Sequence, residues 1–99
     1  MSEYKPATSS SGALTSVASA ATSTTILAAN AKRKGATFVN TDANALCLRL
    51  DGGTATTTTA FNVRIIQNAY FELPFGYTGL VTGIWEADGA GAANVCEFI

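Results

Sequence analysis

The clearest pattern in the chain is an alternation of apolar and polar positions over residues 45–50. Leu46, Leu48 and Leu50 fall on one side of an extended backbone, while Cys47 and Arg49 fall on the other. A period of two is typical of a strand with one buried face, whereas a helix would repeat its apolar positions every three or four residues. The pattern therefore predicts a β-strand that packs its leucine side against a core.

Six further runs of β-branched and aromatic residues have the same character. Together the predicted strands lie at 24–28, 36–40, 45–50, 61–66, 70–73, 80–86 and 93–98. Turn-forming Asn, Asp, Gly and Pro residues separate them, and no segment of a dozen residues shows helical spacing. Short strands at this spacing indicate an all-β fold, an antiparallel β-sandwich or jelly-roll-like small domain.

The inner face of this sandwich and the limits of the domain can also be predicted. Residues 22–99 form the β-sandwich domain, and the Ser- and Ala-rich residues 1–21 form a flexible or partner-ordered N-terminal arm. Residues 13–18 could form a strand if a ladder is offered, which makes Leu14 and Val17 candidate partner contacts. The predicted inner face comprises Leu46, Leu48, Leu50, Phe61, Val63, Ile65, Ile84 and Val95.

Two polar segments are further candidates for partner contact. The threonine-rich segment 54–59 carries no Lys or Pro to guard a sheet edge, so an edge covered by another chain would suit Thr56, Thr57, Thr58 and Thr59. A solvated, hydroxyl-rich loop fits the same residues. The only basic cluster, Lys32, Arg33 and Lys34, is either a contact for an acidic partner or a solvated turn.

Composition and charge exclude several partners. The 99 residues carry a formal net charge of −1, so we expect neither nucleic acid nor a membrane surface as a partner. The charged fraction of 13% is well below the roughly 25% of average proteins, which favours a surface partly covered by neighbours. We expect no signal peptide and no membrane span.

The sequence offers no constellation that could run a reaction. Without histidine, the chain lacks the commonest general base and the commonest metal ligand. The carboxylates lie beside turn residues or at strand ends, where solvated roles are the usual ones. Cys47 and Cys96 could pair only if their strands are neighbours; otherwise they are small buried residues. We therefore predict no enzymatic activity, no catalytic residue, no metal and no cofactor.

Several motifs together resemble those of small virion proteins of tailed bacteriophages. They are an opening "TILAANAKRKGATFVN", a strand "ALCLRL" leading into "DGGTAT", then "YFELP", "YTGLVTGIW" and a closing "NVCEF". The resemblance covers residues 22–98 and consists of strands and turns, with no catalytic signature.

This resemblance implies a structural role on the particle surface. It implies a head decoration (cement) protein that binds the major capsid protein or other virion proteins as a homo-oligomer, often a trimer. A head-spike or tail-fibre-associated module is the alternative, and it could bind carbohydrate through exposed aromatics such as Tyr70, Tyr77 or Trp85. A host protein that binds another protein through its sheet edge remains a further possibility.

Overall fold

A computed structural model of the chain describes residues 8–53 and 59–99, and these residues form two antiparallel sheets without any helix. The strands are β1 (Gly12–Ala18), β2 (Thr24–Leu27), β3 (Gly35–Asn40), β4 (Leu46–Arg49), β5 (Val63–Ile65), β6 (Tyr70–Glu72), β7 (Val81–Trp85) and β8 (Ala92–Phe98). Sheet A has the order β1-β8-β3-β6, and sheet B has the order β2-β7-β4-β5. The predicted all-β sandwich is confirmed.

The strand order is that of a jelly roll. The first four strands pair in nested fashion with the last four, as β1 with β8, β2 with β7, β3 with β6 and β4 with β5. This long double ribbon is folded over, because β8 also pairs with β3 and β7 also pairs with β4. Two packed four-stranded sheets result, as in jelly rolls generally.

Sheet A includes a strand from the segment that the sequence assigned to the N-terminal arm. Ala13 to Ala18, predicted to form a strand only if a ladder is available, find that ladder on β8 of the same chain. The sandwich therefore begins at Gly12 and not at residue 22.

The core lies between the sheets and contains the leucine side of β4. Leu46 and Leu48 are fully buried, together with Trp85, Phe38 and Val95. A β-bulge in β2 buries the consecutive residues Ile26 and Leu27, since the irregular register turns both toward apolar neighbours. Burial of large side chains such as these is worth about 2–5 kcal/mol each against truncation to alanine.

Two predicted members of the inner face, Ile84 and Phe61, lie elsewhere. Trp85 of β7 stands opposite the buried Leu46 of β4 and therefore points inward. Its neighbour Ile84 consequently points to the outer side of sheet B. There Ile84 packs with Cys47. Phe61 is exposed, and Leu50 is only half-buried at the margin of the core.

A buried polar network closes one end of the sandwich. The Asn40 side chain accepts from Trp85 Nε1 at 3.1 Å and donates to the carbonyls of Asn44 and Ile65, both at 2.9 Å. Asp42 is also buried, in contrast to the solvated role predicted for the carboxylates. Its carboxylate accepts the backbone N–H groups of Asn44 and Gly91, each at 2.8 Å, and these bonds lower the pKa of Asp42. The side chains of Asn40 and Asp42 therefore stabilise this end of the sandwich through hydrogen bonds within the chain.

Candidate interaction surface

The outer edge of β1 is free within the part of the chain that the structure describes. β1 stands at the end of sheet A, and its side chains are almost all exposed. Its sequence, GALTSVA, contains neither charge nor proline. Exposed edges of monomers usually carry such guards against pairing with another strand, so this edge is suited to contact.

The hydrogen bonds beside β1 determine which of its backbone groups point outward. The N–H of Ile99 donates to Ser11 O at 3.2 Å, and the N–H of Ser19 donates to Gly91 O at 3.0 Å. Bonded and non-bonded pairs alternate along an antiparallel ladder, so the odd-numbered residues between Ser11 and Ser19 bond to β8. The residues whose N–H and C=O groups point away from the sheet are therefore Gly12, Leu14, Ser16 and Ala18.

The outer side of sheet A, which we call the open face, continues from this edge. The strand registers place its side chains in two rows across the four strands. The rows are Leu14, Cys96, Thr37 and Glu72, followed by Ser16, Asn94, Val39 and Tyr70. Leu14 is 76% exposed and Tyr70 is 60% exposed, although both are large apolar side chains.

Charge is nearly absent from the open face. Glu72 is the only charged residue in its two rows, and it accepts a hydrogen bond from the Tyr70 hydroxyl at 3.0 Å. That bond is the main reason why the pKa of Tyr70 is raised, because loss of the phenol proton would put two negative charges together. Apart from Glu72 the two rows are uncharged, and a low content of charged residues is typical of the centre of a protein interface.

The predicted arm contacts lie on opposite sides of β1. Leu14 belongs to the open face, whereas Val17 packs against the core and is half-buried. Only Leu14 is thus positioned for contact with another molecule.

The predicted basic turn is divided between the surface and the interior. Lys32 and Lys34 are exposed, but the Arg33 side chain is buried and its Nε donates to Glu97 at 2.7 Å. Its other nitrogens donate to the carbonyls of Ala28, Tyr77 and Gly79. Arg33 therefore holds the loops together, and its guanidinium does not lie on the surface with Lys32 and Lys34.

Of the threonine-rich candidates, Thr59 is exposed in the segment that precedes β5. Thr56, Thr57 and Thr58 lie outside the described residues. Cys47 and Cys96 are on different sheets, and both are free thiols.

Of the three aromatics named in the sequence, Tyr70 is exposed and the other two are not. Trp85 is buried, and Tyr77 is half-buried with its hydroxyl donating to Leu80 O at 2.8 Å. Phe75 instead stands fully exposed beside a recess of about 390 Å³. It occupies a tight turn at a φ of 59°, which is unusual for a bulky residue. The sequence Pro74-Phe75-Gly76 indicates a turn. It does not show that the Phe75 ring is exposed, because that depends on how the turn projects from the sheet.

The described residues hold no group of three or more His, Cys, Asp or Glu side chains that could bind a metal ion. Within the same residues, no helix has the length and apolar character needed to cross a bilayer. Comparisons with protein-family models, with curated proteins and with solved structures give no match.

Proposed function

We propose that this chain is a non-enzymatic structural protein of a tailed-phage virion. In this role it is a decoration (cement) protein that binds the major capsid protein on the head shell as a symmetric homo-oligomer and stabilises the shell. It is made in the host cytoplasm and ends on the particle surface.

The observation that carries this proposal is the uncovered open face with its free β1 edge. A rigid sandwich that leaves Leu14 and Tyr70 exposed, with the Glu72 carboxylate as the only charge in their rows, is suited to permanent attachment, since these large side chains would otherwise remain in water. The jelly-roll order adds modest support, because viral capsid and lectin domains share it, although one fold serves many functions.

Attachment can be tested on particles assembled without the chain. Added wild-type protein should co-sediment with them and raise the temperature at which they release their genome. Leu14→Asp should reduce occupancy at least about tenfold, because it buries a charge in the contact. The matched control is Ile66→Asp, at an exposed residue (57%) directly after β5 of sheet B, and this variant should bind like the wild type.

Three results would count against the proposal. They are no co-sedimentation, equal loss of occupancy in both variants, or a reproducible turnover of any substrate by the purified chain.

Phe75 favours a second candidate function, carbohydrate binding in a spike or fibre module. A fully exposed ring in a strained turn is the kind of surface on which a sugar stacks. The ring resonances of Phe75 should then shift on addition of host glycans, and Phe75→Ala should abolish retention on a glycan column. Unchanged resonances across a broad glycan panel would remove this candidate.

A further inference from the structure

The free edge of β1 is complementary to itself about a two-fold axis. Its outward N–H and C=O groups belong to Gly12, Leu14, Ser16 and Ala18, as the ladder with β8 requires. If two copies of β1 run antiparallel with Thr15 at the centre, Leu14 faces Ser16 and Gly12 faces Ala18. Each outward donor then meets an outward acceptor.

We infer that β1 of a second copy occupies this edge, so that sheet A of each copy continues into sheet A of the other. The strand contributes only small or medium uncharged side chains, so no like charges stand opposite each other across the axis. Thr15 stands opposite Thr15 of the second copy, a cross-strand pair that favours sheets.

The charges at the two ends of β1 favour the antiparallel orientation. At the Gly12 end, the exposed Lys34 lines a hollow with Ser9 and Ser10. At the Ala18 end, the exposed Asp88 accepts a hydrogen bond from the Ser19 hydroxyl at 3.3 Å. Antiparallel pairing brings the lysine end of each copy beside the aspartate end of the other, whereas parallel pairing would put like charges together.

The size of the contact predicts its strength. One strand pair and its flanking side chains bury less than the roughly 1,600 Å² of a standard interface, so the dimer should be weak and concentration-dependent. A two-fold contact gives an even number of copies, in contrast to the trimer that the resemblance implies.

The inference shares with the proposed function only the statement that the chain forms a homo-oligomer. The pairing of β1 can therefore be tested on the purified chain, without particles. Light scattering of the full chain across a dilution series should show a monomer–dimer equilibrium. Amide exchange followed by NMR should protect Ala13, Thr15 and Val17 at every concentration, because they bond to β8. Protection of Gly12, Leu14, Ser16 and Ala18 should appear only as the dimer forms.

A proline at the edge gives a matched pair of variants. Ser16→Pro removes an outward N–H and places a ring at the contact, and its own ladder with β8 survives because that N–H is not used there. It should raise the dimer dissociation constant at least about tenfold. Ser16→Ala keeps the N–H and should dimerise like the wild type. A Ser16→Pro protein that fails to fold leaves the exchange pattern of the wild type as the deciding measurement.

Reversing the charges of Lys34 and Asp88 tests whether the two copies of β1 pair in the antiparallel orientation. Lys34→Glu and Asp88→Lys should each weaken the dimer by roughly threefold to tenfold. The double variant should recover most of that loss.

A strictly monomeric wild type, a trimer, or a dimer in which the outward amides of β1 exchange freely would each overturn the pairing. These outcomes are separate from the proposed function, which is judged by occupancy on particles. A monomer in solution that still binds particles would refute the pairing alone.

Discussion

The outer sides of the two sheets differ in how far the chain covers them. On sheet B, which we call the closed face, Cys47 and Ile84 point outward and are nevertheless buried. The ion pair between Arg64 of β5 and Glu86 after β7, 2.6 Å long, crosses over β4 above them. On sheet A, the open face has no ion pair among its described residues, and Leu14 and Tyr70 stand in solvent.

The loop after β4 completes the cover of the closed face. Arg49 pairs with Asp51 at 2.7 Å, and the Thr82 hydroxyl donates to Gly53 O at 2.8 Å, which holds the loop over the sheet. The aliphatic stems of long charged side chains can shield apolar groups while their heads stay in water. Within residues 8–53 and 59–99, paired charged side chains of this kind cover the outer side of sheet B and not the open face.

The largest expected difference between the faces is in thiol reactivity. In the native monomer, Cys96 on the open face should react with a thiol reagent at least about a thousandfold faster than Cys47, which must wait for unfolding. Time-resolved labelling with mass spectrometry measures both rates. Equal rates would show that the closed face is as accessible as the open one.

Truncation of one apolar residue on each face should separate them in stability. Ile84 is 7% exposed, so Ile84→Ala should lower the free energy of unfolding by about 2–5 kcal/mol. Leu14→Ala is the matched control and should stay within about 0.5 kcal/mol, since its side chain is already in solvent. Urea unfolding at a protein concentration that keeps the chain monomeric measures both. A large loss for Leu14→Ala would mean that the open face is covered by the chain itself.

The sequence predicted correctly which side chains of the alternating strand β4 are buried in the core. It was less successful for strands in which consecutive residues are apolar, such as β7. Leu46 and Leu48 were placed correctly because their neighbours are polar or small. In β7, Ile84 and Trp85 are both apolar, so the pattern could not choose between them, and the register with β4 decides.

Features that depend on distant partners could not be predicted from local pattern. β1 has the composition of an arm and becomes a strand only because β8 pairs with it. Arg33 has the pattern of a surface residue, and its partner Glu97 lies 64 positions away. The open face could not be predicted from the alternation in β3. Thr37 and Val39 lie on the outer side and Phe38 on the inner side, and because none of them is charged, the pattern does not show which side faces solvent.

Removal of the Arg64–Glu86 ion pair should make Cys47 on the closed face accessible to thiol reagents, as we expect for Cys96 on the open face. Arg64→Ser deletes the stem that lies opposite Cys47 on the neighbouring strand, so the labelling rate of Cys47 should rise by roughly tenfold. The rate of Cys96 should not change. Arg64→Lys, which keeps an aliphatic stem opposite Cys47, is the control and should leave Cys47 slow. A Cys47 rate that is unchanged in Arg64→Ser would show that the fold, and not the ion pair, protects the thiol.

The smallest expected effect is in the alkaline stability of the closed face. Burial, with a further contribution from the Glu86 carboxylate, raises the pKa of the Cys47 thiol, and the nearby Arg64 only partly opposes this. The folded chain therefore holds the thiol proton more tightly than the unfolded chain does. The resulting stabilisation is complete below the ordinary thiol pKa and is lost as the pH rises through the raised value. Cys47→Ala should lack this contribution, so the stability difference between wild type and variant, measured by urea unfolding, should narrow at alkaline pH. A difference that stays constant through the alkaline range would show that Cys47 is as easily ionised in the folded chain as in the unfolded one.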